Sequence, residues 1–379
     1  MRPGWIRPGV VLATAIAACT FTHGVAQNGG GGSDSGVGSD AKLPDAGPCT
    51  GVGDSCNADG LTLEHCSMVG AIPTSTPCPW GCVGSGGPHC GVFTPSGGGV
   101  TGSDADSSVL QPFNAVTLGP ATINSDDGTI TGVAGGFGHS VRNGVTFFQF
   151  KQLTINGPIT LAGSNAIALV ADGAIDVEGS IDAQGTCTAS ALNKGGTAGP
   201  GGFPGGAQHT DASGSGSGKS GGGTNTDGGG GGGYGGNGGD GGSNSMSGGA
   251  KFGSDLLRTL AGGGGGAGGG GGGAHSAPGG GGGGALQLVS NTSIMIGSNA
   301  SINAGGCGGY SSDNTDSAGG GGAGGAILIE APTIAIAGQL AVNGGGGGGG
   351  SDSLTELGFN KGFDGQLGRF AAFGHLGNG

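Results

Sequence analysis

Aromatic residues make up 4% of the 379-residue chain and charged residues 9%, so a conventional core built around rings is excluded by composition. Basic residues are scarce, with 11 Lys and Arg against 24 Asp and Glu and a net charge of -13. No basic stripe is visible, which excludes a nucleic-acid partner held through its phosphates. Only 16 residues are Pro against 106 Gly, and collagen, which needs abundant Pro and strictly periodic Gly, is excluded with them. Long apolar runs are also missing. Disorder is not the default either, because blocks of Ile, Leu and Val separate the glycine tracts and require burial.

At the start, Arg2 and Arg7 precede a largely apolar run from Val10 to Ala18, the layout of a secretory signal and too short to span a bilayer. Ile16-Ala17-Ala18-Cys19 resembles the lipobox of bacterial lipoproteins, which implies acylation of Cys19. An ordinary signal peptide cut after Gly24-Val25-Ala26 is the alternative. Of nine cysteines, setting Cys19 aside leaves an even number, which suits disulfides in an oxidising compartment. Residues 1–18 thus read as the signal and 19–47, rich in Gly, Ser and Asp, as a flexible tether.

Cys49, Cys56, Cys66, Cys78, Cys82 and Cys90 crowd into residues 48–92, where few large apolar side chains are present and covalent staples are needed. Fifteen connectivities are open. His65 and His89 raise a zinc alternative, but no second pair matches the Cys78–Cys82 spacing and export favours oxidation. Gly53-Asp54-Ser55-Cys56, Leu63-Glu64-His65-Cys66 and the Cys78–Cys82 pair resemble short six-cysteine modules in surface lipoproteins of myxobacteria.

Four segments align without gaps: LTINGPITLAG (153–163), IDVEGSIDAQG (175–185), IMIGSNASINA (294–304) and IAIAGQLAVNG (334–344). Each alternates apolar with polar or small residues, the period of a strand. Further alternating pairs stand ahead of the last three: Ile167 and Leu169, Leu286 and Leu288, Ala326 and Leu328. The fold class expected is all-β, a parallel β-solenoid over 110–379, with a β-sandwich as the alternative.

Glycine tracts leave after Gly185, Gly305 and Gly344, one corner of three repeats, giving insertions at 186–284, 307–325 and 344–352. Four Gly-Gly-x triplets run from Gly232 to Ser243. A three-residue period is that of polyproline II and predicts polyglycine II bundles, with Tyr234, Asn237, Asp240 and Ser243 on one edge; a floppy linker is the alternative. The tracts resemble glycine-rich domains of certain receptor ectodomains, phage adhesin tips and some ice-binding proteins. Cys187 and Cys307 each follow a repeat-closing glycine, and stacking the repeats predicts a disulfide between them.

Chemistry is sparse. Ser213 to Ser220 imitates a phosphate loop but begins with Ser where Gly is required and follows no strand. Asp176, Glu178 and Asp182 are expected outward on one flat rung, where carboxylates two residues apart lie about 7 Å from each other. That separation occurs in glycoside hydrolysis, yet no Arg, Lys or His completes a site. The trio reads as a solvated acidic stripe, with weak calcium binding as its other use. No catalytic residue and no cofactor is assigned.

As a whole the chain resembles the glycine-rich surface lipoproteins of myxobacteria, sometimes labelled PE-PGRS-like, although the helical PE domain of that label is absent. The resemblance implies a lipid-anchored structural or adhesive protein of the outer membrane or cell surface, or a secreted one, without catalytic activity. Its partners would be a membrane through the N-terminal lipid and a surface or matrix polysaccharide or another cell-surface protein. A carbohydrate-binding or polysaccharide-cleaving β-helix, and an ice-binding protein, are the alternatives.

Overall fold

The computed structural model describes residues 48–350 except 79, 85–86, 92, 186, 188–192, 221–226, 243–245, 272–275 and 313–316. The signal, the tether and Cys19 lie outside the described residues, as do 351–379.

The cysteine-rich segment forms a small antiparallel sheet of β1 (Gly53–Cys56), β2 (Thr62–Cys66) and β3 (Thr74–Pro77), beside a two-stranded ribbon of β4 (Cys82–Val83) and β5 (His89–Cys90). Its disulfides join Cys49 to Cys66, Cys56 to Cys82 and Cys78 to Cys90. All six sulfurs are thereby consumed, and the zinc alternative falls. His65 instead pairs with Asp54 at 2.7 Å.

Three larger sheets follow, with the four-residue α1 (Ser107–Leu110) ahead of them as the one helix among the described residues. The first sheet holds β9 (Gly138–Arg142), β10 (Val145–Phe150), β13 (Ala166–Ala171), β16 (Ala285–Ser290) and β19 (Ala326–Glu330). The second holds β6 (Ala115–Leu118), β11 (Gln152–Ile155), β14 (Ile175–Val177), β17 (Ser293–Ile296) and β20 (Thr333–Ile336). The third holds β7 (Ala121–Asn124), β8 (Thr129–Ile130), β12 (Ile159–Ala162), β15 (Ser180–Asp182), β18 (Ser301–Asn303) and β21 (Gln339–Ala341).

This corrects the expected architecture. Only the second sheet is wholly parallel; the first and third are mixed, because β9 joins β10 and β8 joins β7 antiparallel. The described residues are strand-rich with several stacked layers, and they form no closed all-parallel solenoid. The local cause is turn chemistry. Asn143 and Gly144 both take positive φ, 52° and 74°, the two-residue turn that folds a strand back on its neighbour.

Register corrects two further expectations. Leu153, Ile175, Ile294 and Ile334 stand in line as aligned, but Ile302, not Ala300, pairs with Ile181. The turn Gly297–Ala300 is therefore two residues longer than the Glu178–Gly179 turn. In β19 the residue paired with Leu286 is Ile327, so Ile327 and Ile329 pack on the inner face of the sheet, while Ala326 is buried on its other face. A one-residue slip exchanges the two faces of a strand.

The inner faces of the three sheets converge on one apolar column that includes Phe148, Phe150, Leu153, Ile155, Ile159 and Leu169, all at most 1% exposed. Strands β11 and β17 of the second sheet and β12 and β15 of the third alternate between buried and accessible. The central strands of the first sheet do not: β13 and β16 are buried at every residue, because their outer face is covered as well. A clasp of residues 93–113 lies across it and buries Phe147, Ala168, Val170 and Val289 with its own Val100, Ala105 and Leu110. Gln287 and Glu330 are paired under the clasp. Gln287 donates to Gly97 O at 3.1 Å and to Glu330 Oε2 at 2.7 Å, and accepts from Gly99 N at 3.1 Å. Ser96 donates to Glu330 through both its backbone N–H, at 2.7 Å, and its hydroxyl, at 2.6 Å.

The glycine tracts leave from β15, β18 and β21, adjacent strands of the third sheet, and the first two return into β16 and β19 of the first. Between these points they carry almost no strand, yet they are bonded to one another, and residues 262–271, 276–284 and 317–322 are buried. Residues 262–264 and 266–270 give their N–H groups to three neighbours in rotation. Gly263, Gly266 and Gly269 donate to Gly283, Gly280 and Ala277; Gly264, Ala267 and Gly270 donate to Gly233, Gly230 and Asp227; Gly262 and Gly268 donate to Gly201 and Thr210. Every third residue faces the same neighbour, and the absent side chains let the backbones touch. The first three triplets do not form one extended edge, however, and Ser243 of the fourth lies outside the described residues. The chain reverses at Tyr234–Gly236, where Tyr234 N donates to Gly236 O at 2.9 Å, and returns so that Gly231 N meets Gly239 O at 2.9 Å. Cys187 and Cys307, 120 residues apart, are joined at the base of the long insertion.

Candidate functional site

The acidic trio is not one cluster. Asp176 lies in β14 of the second sheet and Asp182 in β15 of the third, with Glu178 in the turn between them. Among the described residues no group of three or more His, Cys, Asp or Glu side chains gathers to hold a metal ion, so the calcium reading has no site here. Register places Thr117, Thr154, Asp176, Met295 and Ala335 in one outward row, and Thr122, Thr160, Asp182, Asn303 and Ala341 in another. Both rows are broad and chemically mixed. Burial raises the Asp182 carboxyl above its ordinary value, and the N–H of Gln184, 3.0 Å away, opposes it. The imitation phosphate loop is occupied by its own chain: Lys219 pairs with Asp211 at 2.9 Å, and the Ser220 N–H donates to the same carboxylate at 2.7 Å.

A cleft that sequence reading missed opens where the clasp meets the β9–β10 turn. It has a volume of about 570 Å³ and is lined by Pro95, Thr101, Arg142, Asn143, Arg258 and Thr259 among others. Arg142 is held on one wall. Its guanidinium donates to both oxygens of Asp104 and to Gly99 O, and it sits 4.8 Å from the centre of the Phe147 ring. Arg258 is exposed, with no hydrogen-bond or ion-pair partner among the described residues. In a chain of net charge -13, Arg258 gives this cleft one positive charge that no carboxylate among the described residues neutralises.

Burial by itself would raise the Asp104 carboxyl. The hydrogen bonds from Arg142, from the Thr101 hydroxyl and from its N–H, both at 2.7 Å, together with the Arg142 charge, outweigh it and lower the group below 3.8. A carboxylate lowered on folding contributes stability above its unfolded pKa, which is lost as pH falls through the folded value. Acid titration should therefore loosen the clasp as pH drops below 3.8. Asp104→Asn should be less stable at neutral pH and show a shallower acid dependence, measured by denaturant midpoints across the pH series.

A second cavity, of about 520 Å³, lies beside the last strands and is lined by Tyr234, Phe252, Leu257, Ile327 and Val342 among others. Tyr234 and Phe252 meet edge to face with centroids 5.1 Å apart, and Phe203 joins them at 5.8 Å. The Tyr234 hydroxyl is buried without a partner, and burial raises its pKa.

Comparison with protein-family models, curated proteins and solved structures returned no match. Location is legible from covalent chemistry instead. Four disulfides mark an extracellular or secreted protein, and no helix among the described residues is long and apolar enough to cross a membrane.

The clasp was the main omission of sequence reading. The available signal was VTFFQF, AIALVA and ALQLVS: runs without alternation imply strands buried on both faces, hence a further covering layer.

Proposed function

We infer that this is an exported structural or adhesive surface protein, tethered by a lipid on Cys19, that displays its glycine body on a stapled three-sheet frame and has no catalytic role. The observation that carries the reading is the rotation of hydrogen bonds through residues 262–264 and 266–270. It makes a composition suited to a flexible linker into a buried, ordered body, which serves a scaffold and serves a linker poorly.

Two measurements test it. Fatty-acid labelling of the exported chain should be lost in Cys19→Ala, and an unlabelled wild-type chain would replace the anchored protein with a secreted one. The purified chain screened against surface polysaccharides and cell-surface proteins should show saturable binding without product, unchanged by Asp176→Asn. Turnover abolished by that substitution would replace the structural reading with a polysaccharide-cleaving one. Carbohydrate binding is the second reading, favoured by the unpartnered Arg258 in the cleft; it requires acidic saccharides to bind and Arg258→Ala to weaken them.

A further inference from the structure

Among the described residues, seven of the 14 exposed large apolar side chains lie in the six-cysteine segment. The segment can leave them outside because its interior is sulfur: Cys49, Cys66 and Cys78 are its buried apolar residues, and three disulfides supply the stability that a core would. Four of the seven share one end of its sheet. Val52 precedes β1, and Met68, Val69 and Ile72 lie in the turn from β2 to β3. Register brings these points together, with Gly53 opposite Cys66 and His65 opposite Thr74. The four are 71%, 62%, 67% and 88% exposed.

The turn is held in shape. Ala71 N–H donates to Met68 O at 3.2 Å across Gly70, whose φ is 84°. Gly70 N–H donates to Cys49 O at 2.8 Å, and Cys49 N–H donates to Ala71 O at 2.9 Å. The Cys49–Cys66 disulfide closes the base. These backbone groups are already paired, which lowers the cost of taking them out of water. Charge is missing as well. Residues 49–53 and 66–77 contain no Asp, Glu, Lys, Arg or His, and Asp54 and His65, next along the strands, bond to each other at 2.7 Å.

We propose, resting on the anchored reading, that this uncharged turn dips into a lipid surface and seats the six-cysteine module on it. A protein partner docks best on Trp, Tyr or Arg, and the turn offers none of them. A lipid surface asks only for apolar side chains and satisfied backbone. Cys49, which the turn bonds directly, stands 30 residues after Cys19. Such a length spans at most about 100 Å, so a membrane holding that lipid is within reach of the turn. In a chain of net charge -13 attraction to anionic headgroups is not the driving force; removal of apolar surface from water is.

The test uses the full chain with phosphatidylcholine vesicles whose acyl chains carry bromine, a quencher of tryptophan at contact. Ile72→Trp should lose at least about half of its added fluorescence relative to bromine-free vesicles, independent of salt. Met68→Trp should behave alike, and Val141→Trp, at an exposed position in β9, should lose none. Mass spectrometry of the same sample reads the Cys19 lipid separately. A lipid without quenching at 72 and 68 overturns the proposal and leaves the anchor, whereas quenching without a lipid removes the anchor and supports the turn's role. Equal quenching at 141 would overturn it as general adsorption. So would absent quenching with capture of a cell-surface protein that Met68→Ser and Ile72→Ser together abolish, which assigns the turn to a protein partner.

Discussion

Replacing Cys187 and Cys307 together by serine should destabilise the protein by about 5 kcal/mol, the chain-entropy value for a closed loop of this length. The two sulfurs join positions 120 residues apart, so the bond removes far more freedom from the unfolded chain than any other in the molecule. The expected fall in Tm is on the order of 10 °C, read by calorimetry or by loss of sheet signal. Cys78→Ser with Cys90→Ser is the contrast. That loop spans 12 residues, the expected cost is about 3 kcal/mol, and the damage should stay within the small module. A long-loop variant that melts like the wild type would mean that the insertion is not docked on the sheets at its base.

The second large effect concerns glycines whose missing side chain is a contact. A Cβ at Gly282 would lie 1.9 Å from Gly263 O, and one at Gly280 would lie 2.1 Å from Cys307 O. Neither neighbour is a movable side chain, so each backbone must shift, and the tracts it bonds must shift with it. Gly282→Ala and Gly280→Ala should each cost about 1–3 kcal/mol. At Gly239 a Cβ would meet nothing within 4 Å, and Gly239→Ala should be neutral or stabilise by up to about 1 kcal/mol, because alanine narrows the unfolded ensemble. Opposite signs within one glycine-rich insertion separate an ordered body from a linker. A linker would respond to all three substitutions alike.

Much of the frame was legible because period two is a direct consequence of strand geometry. Leu153, Ile175, Ile294 and Ile334 fall in the register that alternation assigns them, and the Cys187–Cys307 bond follows from that stacking. The failures have local causes. Gly297 hid a turn two residues longer than its counterparts, since an apolar Ala300 stood where the ungapped alignment needed one, while Ile302 is the residue that pairs. Ala326 and Leu328 alternate as well as Ile327 and Ile329 do, and only pairing with β16 selects between the two phases. The Asn143-Gly144 turn was a readable hairpin signal, and it is one of the features that makes the sheets mixed instead of uniformly parallel.

Side-chain groupings were less legible than strands. The acidic trio alternates correctly along the sequence, but a corner intervenes at Glu178 and sends Asp182 to another sheet. The Arg142–Asp104 pair joins residues 38 apart across the clasp, a distance over which periodicity carries no information. Connectivity in the six-cysteine segment has the same character. Cys56 reaches Cys82 past two other cysteines because the sheet brings them together, and nothing in the spacing distinguishes that choice.

The central claim is that glycine here builds an ordered body. It is tested most directly by amide hydrogen exchange across residues 262–264 and 266–270, which are buried and whose N–H groups are shared among three neighbouring tracts. Protection approaching that of the central strand β13 is the expected result. Exchange at the rate of an unstructured glycine peptide, with β13 still protected, would contradict the claim and return the tracts to the role of linkers.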